Sequence, residues 1–256
     1  MLNKVEFALK VVKTYKNWSD VFLDHLGHFP IYKRKTYFLR NGIKMETRCQ
    51  TLDLGTIHTI FMGNETLDAV KSLGNSPTVI DLGSHIGAFS IYIAHKTQGS
   101  KIYSYEPFRD NYEIMVENIT INDFEKNIIS FNLAVSDKNG NRVLYFDKKY
   151  NGGCTLLENV WDKSNSLIIN CTTLKDIFKT NRITRCDLLK IDCEGYDYRI
   201  LKSLPKIYFK RIEAVLCEFH TNEQLELTKK LLEKNGFRIK SVSRGVSYGN
   251  IYANKM

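Results

Sequence analysis

From Thr78 onward the chain alternates short apolar runs with longer amphipathic ones, and no other feature restricts its fold as much. "TVIDLG" has the length and flanks of a strand buried on both faces, and "IGAFSIYIAHKT" after it has those of a helix. "KIYSYEP" reads as a strand, and "DNYEIMVENITIND" as a helix burying Tyr112, Met115, Val116 and Ile119. "IISFNLAVSD" follows as a strand. Beyond an irregular middle come three more strand-like runs, "CDLLKIDCEG", "IEAVLCEFH" and "RIKSVS". A helix at "EQLELTKKLLEKNG" separates the last two, with Gly236 as its C-cap. Strands alternating with helices predict an α/β fold, a mostly parallel sheet covered on both faces. Such sheets bind ligands at the carboxyl ends of their strands, where the strand order reverses.

The first strand-to-helix joint, Asp81 to Gly87, is therefore a candidate binding loop. Gly83 permits a tight turn and close approach of a ligand, and Gly87 permits close packing of the helix start on the strand. The spacing is G-x-x-x-G, so the G-x-G-x-x-G fingerprint of diphosphate binding is incomplete. An acid at the strand end also suits a ligand with a cationic group better than a diphosphate. The next strand ends at Glu106, nineteen residues after Gly87, where a carboxylate can accept from ribose hydroxyls. Pro107 and Phe108 offer an apolar wall for an adenine. Together these features favour an adenosine-containing ligand, with S-adenosyl-L-methionine fitting better than a nicotinamide dinucleotide.

Composition bounds the rest. The chain has 256 residues, 43% hydrophobic and 25% charged, as in ordinary globular proteins. No apolar run approaches the ~18 residues of a membrane span, and the lysine-interrupted N-terminus is not a signal peptide. With six cysteines and no CxxC pair, reduced thiols and a cytoplasmic location are expected. Four Asn-x-Ser/Thr sequons carry little weight in that setting. The net charge of +9 comes from scattered lysines rather than a basic tract, so nucleic acid is not the expected partner. Peripheral contact with a membrane stays open. Residues 1–76 differ in texture from the rest. They offer an amphipathic helix with Val5, Leu9 and Val12 on one face, a second helix near Ser19–His25, and a hairpin turning at Asn41-Gly42. Residues 1–76 are expected to be a cap or dimerisation element, with a homodimer open, and residues 77–256 the ligand-binding domain.

Six segments in order, "VIDLGSHIGAFS", "IYSYEPFRDNYEIMVENI", "NLAVSD", "NGGCTLL", "TTLKDIF" and "DLLKIDCEGYDYRIL", resemble the FkbM family of S-adenosylmethionine-dependent methyltransferases. The resemblance covers about half the chain. It implies a Rossmann-like class I methyltransferase fold, a seven-stranded, mostly parallel sheet whose reversed last strand would be "YGNIYANK". It also implies that the loop from Asp81 through Gly83 and Ser84 to Gly87 holds the methionine end of the cofactor. Glu106 would hold the ribose, and Ala134 and Val135, beside Pro107, would lie near the adenine. Family members mostly methylate hydroxyls, on sugars of glycans or on natural products.

"LLKIDCEG" carries a second constellation. Lys190, Asp192 and Glu194 recur at every second residue and share a strand face. Three charges there pair with one another or act. Methyl transfer to a hydroxyl is an in-line displacement, aided by positioning and by a base that takes the proton. The base candidates are Asp192, Glu194, Glu218 and His220, with Asp192 preferred at the centre and Lys190 as its charge partner or as an anchor for the acceptor. Asp192 and Glu218 are an alternative pair of metal ligands, but no tight acidic cluster in the sequence argues for a metal. Trp161, in an insertion at Asn151–Ile169, offers an aromatic face for a sugar. The expected reaction is O-methylation of a hydroxyl-bearing small molecule or glycan acceptor. An RNA methyltransferase and a non-catalytic adenosine-binding protein are the rival readings.

Overall fold

The computed structural model describes residues 4–63, 67–146, 154–157, 165–244 and 248–255. The N-terminal region contains α1 (Lys4–Thr14), α2 (Trp18–His25), the strands β1 (Arg34–Phe38) and β2 (Lys44–Arg48), α3 (Asp53–Met62) and α4 (Leu67–Lys71). There follow β3 (Thr78–Leu82), α5 (Ala88–Lys96), β4 (Lys101–Tyr105), α6 (Arg109–Thr120) and β5 (Ile128–Phe131). The middle holds β6 (Ala134–Ser136), β7 (Gly140–Phe146), β8 (Cys154–Thr155), β9 (Ser166–Thr173) and α7 (Leu174–Thr180). The last part runs β10 (Leu188–Ile191), α8 (Asp197–Ser203), α9 (Lys206–Phe209), β11 (Ala214–Phe219), α10 (Asn222–Lys234), β12 (Phe237–Arg244) and β13 (Gly249–Lys255).

Seven strands form the main sheet in the order β12-β13-β11-β10-β3-β4-β5. The pairs from β11 through β5 are parallel, whereas β13 runs antiparallel to both β11 and β12. Strand order reverses between β3 and β10, so the crevice expected of a doubly wound sheet opens at their carboxyl ends. Alternation along the strands divides the core in two. Val79 and Leu188 face one side, packed on α5 and α6, while Ile80 and Leu189 face the other, packed on α7 and α8. Val11, Tyr15, Tyr37, Met45 and Ile57 of the N-terminal region belong to the same buried cluster as Val79, Ile91 and Met115.

Several sequence expectations need correction. "IISFNLAVSD" is two strands: β5 completes the main sheet, and β6 starts a separate sheet of order β6-β9-β7-β8. Helix α6 buries Asn111, Ile114, Met115, Asn118 and Ile119, and Val116 is exposed. Asn111 meets the side chains of Arg48 and Glu106, whereas Asn118, and Asn122 just past the helix, bind backbone. Asn118 accepts from Glu46 N (2.6 Å) and donates to Glu46 O (3.0 Å), while Asn122 does the same to Lys44 (2.9 and 2.7 Å). Four residues of helix rise about 6 Å, close to the rise of two strand residues, so this spacing matches α6 to β2. In α1, Val5, Leu9 and Val12 do share a face, but it is the exposed one, and Val11 with Phe7 packs inward. The Asn41-Gly42 hairpin forms, with Gly42 at φ 97°. Gly236 takes φ 84° one residue beyond the C-cap Asn235. Trp161 lies outside the described residues.

Candidate active site

A cavity of about 450 Å³ opens at the carboxyl ends of β3, β4, β10 and β11. Of the residues proposed from sequence, Gly83, Ser84, Glu106, Pro107, Ala134, Val135, Lys190, Asp192, Glu194, Glu218 and His220 line it. Asp81 and Gly87 do not. Asp81 is fully buried behind the wall, where the parallel register sets it beside Lys190. Its carboxylate lies 3.2 Å from the Lys190 ammonium and accepts from Ser90 Oγ at 2.7 Å. It therefore anchors a strand pair rather than facing the cavity. Phe108 also turns away, packing on Phe146 with ring centroids 5.2 Å apart. The glycines serve other contacts than expected. A Cβ on Gly83 (φ +74°) would sit 1.8 Å from the Asp192 carbonyl oxygen, so the gap there admits the end of β10. One on Gly87 would sit 2.9 Å from Met115 Cγ, so the close approach is to α6.

The β3–α5 loop is braced from both sides. Gly83 N and Ser84 N both donate to Tyr105 O, His85 N donates to Glu106 Oε2, and Gly87 N donates to Ser84 O. Those four amides are thus already satisfied, and the loop is no diphosphate cradle. Glu106 also accepts from Phe108 N at 2.9 Å. Burial pushes its pKa up to about 7, against the pull of these hydrogen bonds. His85, in the left-handed region at φ 51°, lines the cavity and has its Nε2 3.3 Å from Asp53 Oδ1. Asp53 is fully buried and receives Arg48 through N, Nε and Nη2 at 2.7–2.8 Å. Burial opposes the Asp53 charge, and Arg48 overcomes it, so the pKa stays low. Arg48 Nη2 reaches Asn111 Oδ1 (2.6 Å), and Asn111 Nδ2 approaches Glu106 (3.4 Å). Helix α3 and its N-cap add Leu52, Gly55, Thr56, Thr59 and Ile60 to the cavity wall. Sequence reasoning missed Arg48, Asp53 and α3 altogether. His85 stood inside the quoted motif, and its position between the two glycines was the available signal.

The β10–β11 end is more crowded. Lys190 sits 3.3 Å from Asp192 Oδ2 as well as beside Asp81. Burial disfavours its charge, yet the two carboxylates hold its pKa above the ordinary lysine value. Asp192 is desolvated but kept ionised by Lys190, its pKa below the ordinary value. Glu194 takes φ 49° in the turn after β10, and burial plus Asp192 push its pKa up to about 8. Burial and Asp192 raise Glu218 well above the carboxylate range. Burial lowers His220, so its imidazole is neutral near pH 7. The Nε2 atom of His220 lies 2.9 Å from Glu218 Oε2 and 4.0 Å from Glu194 Oε2. No acidic cluster is visible along the sequence because these three side chains come from two different strand ends.

The Methyltransferase FkbM domain profile matches residues 81–239. The chain belongs to the FkbM methyltransferase family. The match spans every strand of the main sheet from β4 through β11, and with them Glu106, Lys190, Asp192, Glu218 and His220 of the cavity wall. Among curated relatives, Methyltransferase sdnD of Sordaria araneosa is 23% identical over 199 residues, covering 66% of this chain and 77% of its own. Methyltransferase 1 of Beauveria bassiana is 25% identical over 179 residues, covering 63% and 72%. Among solved structures, M. jannaschii TYW2 in complex with AdoMet is similar at TM-score 0.46 and 15% identity, covering 89% of each chain. The strand order and the reversed β13 are those expected of the class I methyltransferase fold. Among the described residues, no helix is long and apolar enough to cross a membrane.

Proposed function

We propose that this FkbM-family methyltransferase transfers the methyl group of S-adenosyl-L-methionine to a hydroxyl, on a sugar of a glycan or glycolipid precursor or on a natural product. The observation that carries this reading is the pairing, in one cavity, of a buried Glu106 at one strand end with an acid-rich cluster at another. Its volume lies within the range of small-molecule sites. The residues fit the cofactor. Glu106 presents a carboxylate for two ribose hydroxyls, and Ala134, Val135, Leu144 and Leu156 offer an apolar wall for the adenine. Asp192, Glu194 and Glu218 face the same space, and a sulfonium among them favours their ionised forms, which burial otherwise disfavours at Glu194 and Glu218.

When bound, S-adenosyl-L-methionine supplies an electrophilic methyl group and leaves as S-adenosylhomocysteine. The chain's own residues hold the acceptor oxygen in line and receive its proton. Asp192, ionised and half-buried beside Lys190, is assigned to orient the hydroxyl and accept that proton. The acceptor oxygen gains a bond to carbon as the carbon–sulfur bond breaks, so the charge of the sulfonium ends as a proton on Asp192. Helix α3, which closes the cavity opposite the strands, shapes the acceptor space, in keeping with a cap role for the N-terminal region.

Calorimetry with S-adenosyl-L-methionine tests the cofactor. Micromolar binding by the wild type, weakened at least tenfold in Glu106→Ala, supports the reading. No binding by the folded wild type overturns it. Transfer of labelled methyl to hydroxyl acceptors, and not to the same compounds with that hydroxyl blocked, tests the reaction.

A further inference from the structure

We propose that Glu194, Glu218 and His220 form a site for one divalent cation that accepts oxygen and imidazole donors, such as Mn²⁺ or Mg²⁺, at the acceptor end of the cavity. The site's existence stands on geometry alone, and its role in the reaction rests on the methyltransferase reading above.

Three donor atoms, one from each residue, lie within 4.8 Å of one another. In an octahedral site with bonds of about 2.1 Å, neighbouring donors are ~3.0 Å apart and opposite ones ~4.2 Å. The separation of His220 Nε2 from Glu218 Oε2, 2.9 Å, fits neighbouring positions. Its separation from Glu194 Oε2, 4.0 Å, fits nearly opposite ones. A second observation points the same way. Glu218 is only 8% exposed, and both its Oε2 and His220 Nε2 are buried without a hydrogen-bond partner. Two buried polar atoms 2.9 Å apart that make no hydrogen bond with each other or with any other group are costly unless a further group, such as a cation, meets both. Lys190 does not serve, because its ammonium is committed to Asp81 and Asp192.

The support behind the donors is already in place. Gln224 of α10 accepts from His220 N at 2.8 Å and donates to Gly195 O at 3.1 Å, tying the two strand ends together. Thr155 Oγ1 donates to Glu194 O at 2.8 Å. Partners of this kind orient ligands and tune affinity. Three protein donors leave about three octahedral positions for water and for an acceptor oxygen. An alcoholic hydroxyl holds its proton about as tightly as water does, and a bound cation loosens it. The proton then passes to Asp192, with no oxidation or reduction.

The test is a Mn²⁺ titration of the full chain after chelator treatment, followed by the loss of the free Mn²⁺ electron paramagnetic resonance signal. One saturable site is expected, tighter than about millimolar and displaced by excess Mg²⁺. Glu218→Gln and His220→Ala should each weaken it at least tenfold. Glu194→Gln, an isosteric change at a side chain that is 35% exposed, should do the same. S-Adenosyl-L-methionine binding is measured on the same samples. Chains that bind the cofactor but no Mn²⁺, or that bind Mn²⁺ at full strength in all three variants, overturn the cation site and leave the methyltransferase reading standing. Mn²⁺ binding lost in the variants, in a wild type that ignores the cofactor, keeps the site and overturns that reading instead.

Discussion

The two ends of the cavity are built on opposite principles. At the β3–β4 end opposite charges are paired and the backbone is bonded: Asp53 by Arg48, Asp81 by Lys190, Glu106 by two backbone amides, and the loop amides by Tyr105 and Ser84, although Arg48 Nη1, Asp81 Oδ1 and His85 Nε2 are buried without a hydrogen-bond partner. At the β10–β11 end, acids crowd one another, and two buried atoms have no hydrogen-bond partner. The difference lies in charge: folding pairs Asp53 and Asp81 of the first end each with a cation, whereas Glu194 and Glu218 at the second end have no cation of their own among the described residues. Natural proteins tolerate unpaired buried polar groups mainly where a ligand will meet them.

The largest test of this contrast is Arg48→Met. It strands the Asp53 carboxylate in a buried place, so chemical denaturation should show a loss of about 3–5 kcal/mol. A loss below 1 kcal/mol would mean the first end is not braced from the N-terminal region. Next is Gly83→Ala, which must place a Cβ against the Asp192 carbonyl at a positive φ. About 3 kcal/mol is expected to be lost, with cofactor binding weakened as the two strand ends separate.

Glu106 supplies a pH test. Its folded pKa, about 7, is above the ordinary 4.5, so its contribution to stability is fully present below 4.5 and is lost as pH rises through 7. Relative to Glu106→Gln, the ligand-free wild type should lose about 2–3 kcal/mol between those limits. Parallel stability curves for the two proteins would refute the burial argument. The smallest effect is expected from Gln224→Ala, where two backbone groups lose a side-chain partner near solvent. About 1 kcal/mol or less of stability should go, while Mn²⁺ affinity falls more than stability does. Equal loss in both would make Gln224 a structural brace only.

What could be read from sequence follows from how local each feature is. The β3 loop, Glu106 and the paired charges of Lys190 and Asp192 sit within a few residues of a strand end, so period and spacing reveal them. Arg48, Asp53 and His85 act through contacts 5 to 63 residues apart along the chain, and nothing in their neighbourhoods announces a partner. The place of Asp81 behind the cavity wall is hidden from the sequence for a related reason. A buried lysine on the adjacent strand claims it, and strand adjacency is not printed in a linear chain. The second sheet escaped because β6 continues the apolar texture of β5 with only Asn132 and Leu133 between them. Val5, Leu9 and Val12 show the limit of periodicity. It identifies a stripe but not which stripe the core takes.

The position of β13 has a consequence for assembly. It lies between β11 and β12, yet it follows both in the chain. Until residues 249–255 emerge, β11 has a bare edge and β12 has no strand to join. Tyr248 and Asn250, which help enclose the acidic end of the cavity, arrive with that same segment. The acidic pocket is therefore closed by the final stitch of the sheet, more than fifty residues of synthesis after β10 has given the β3–α5 loop its second neighbour.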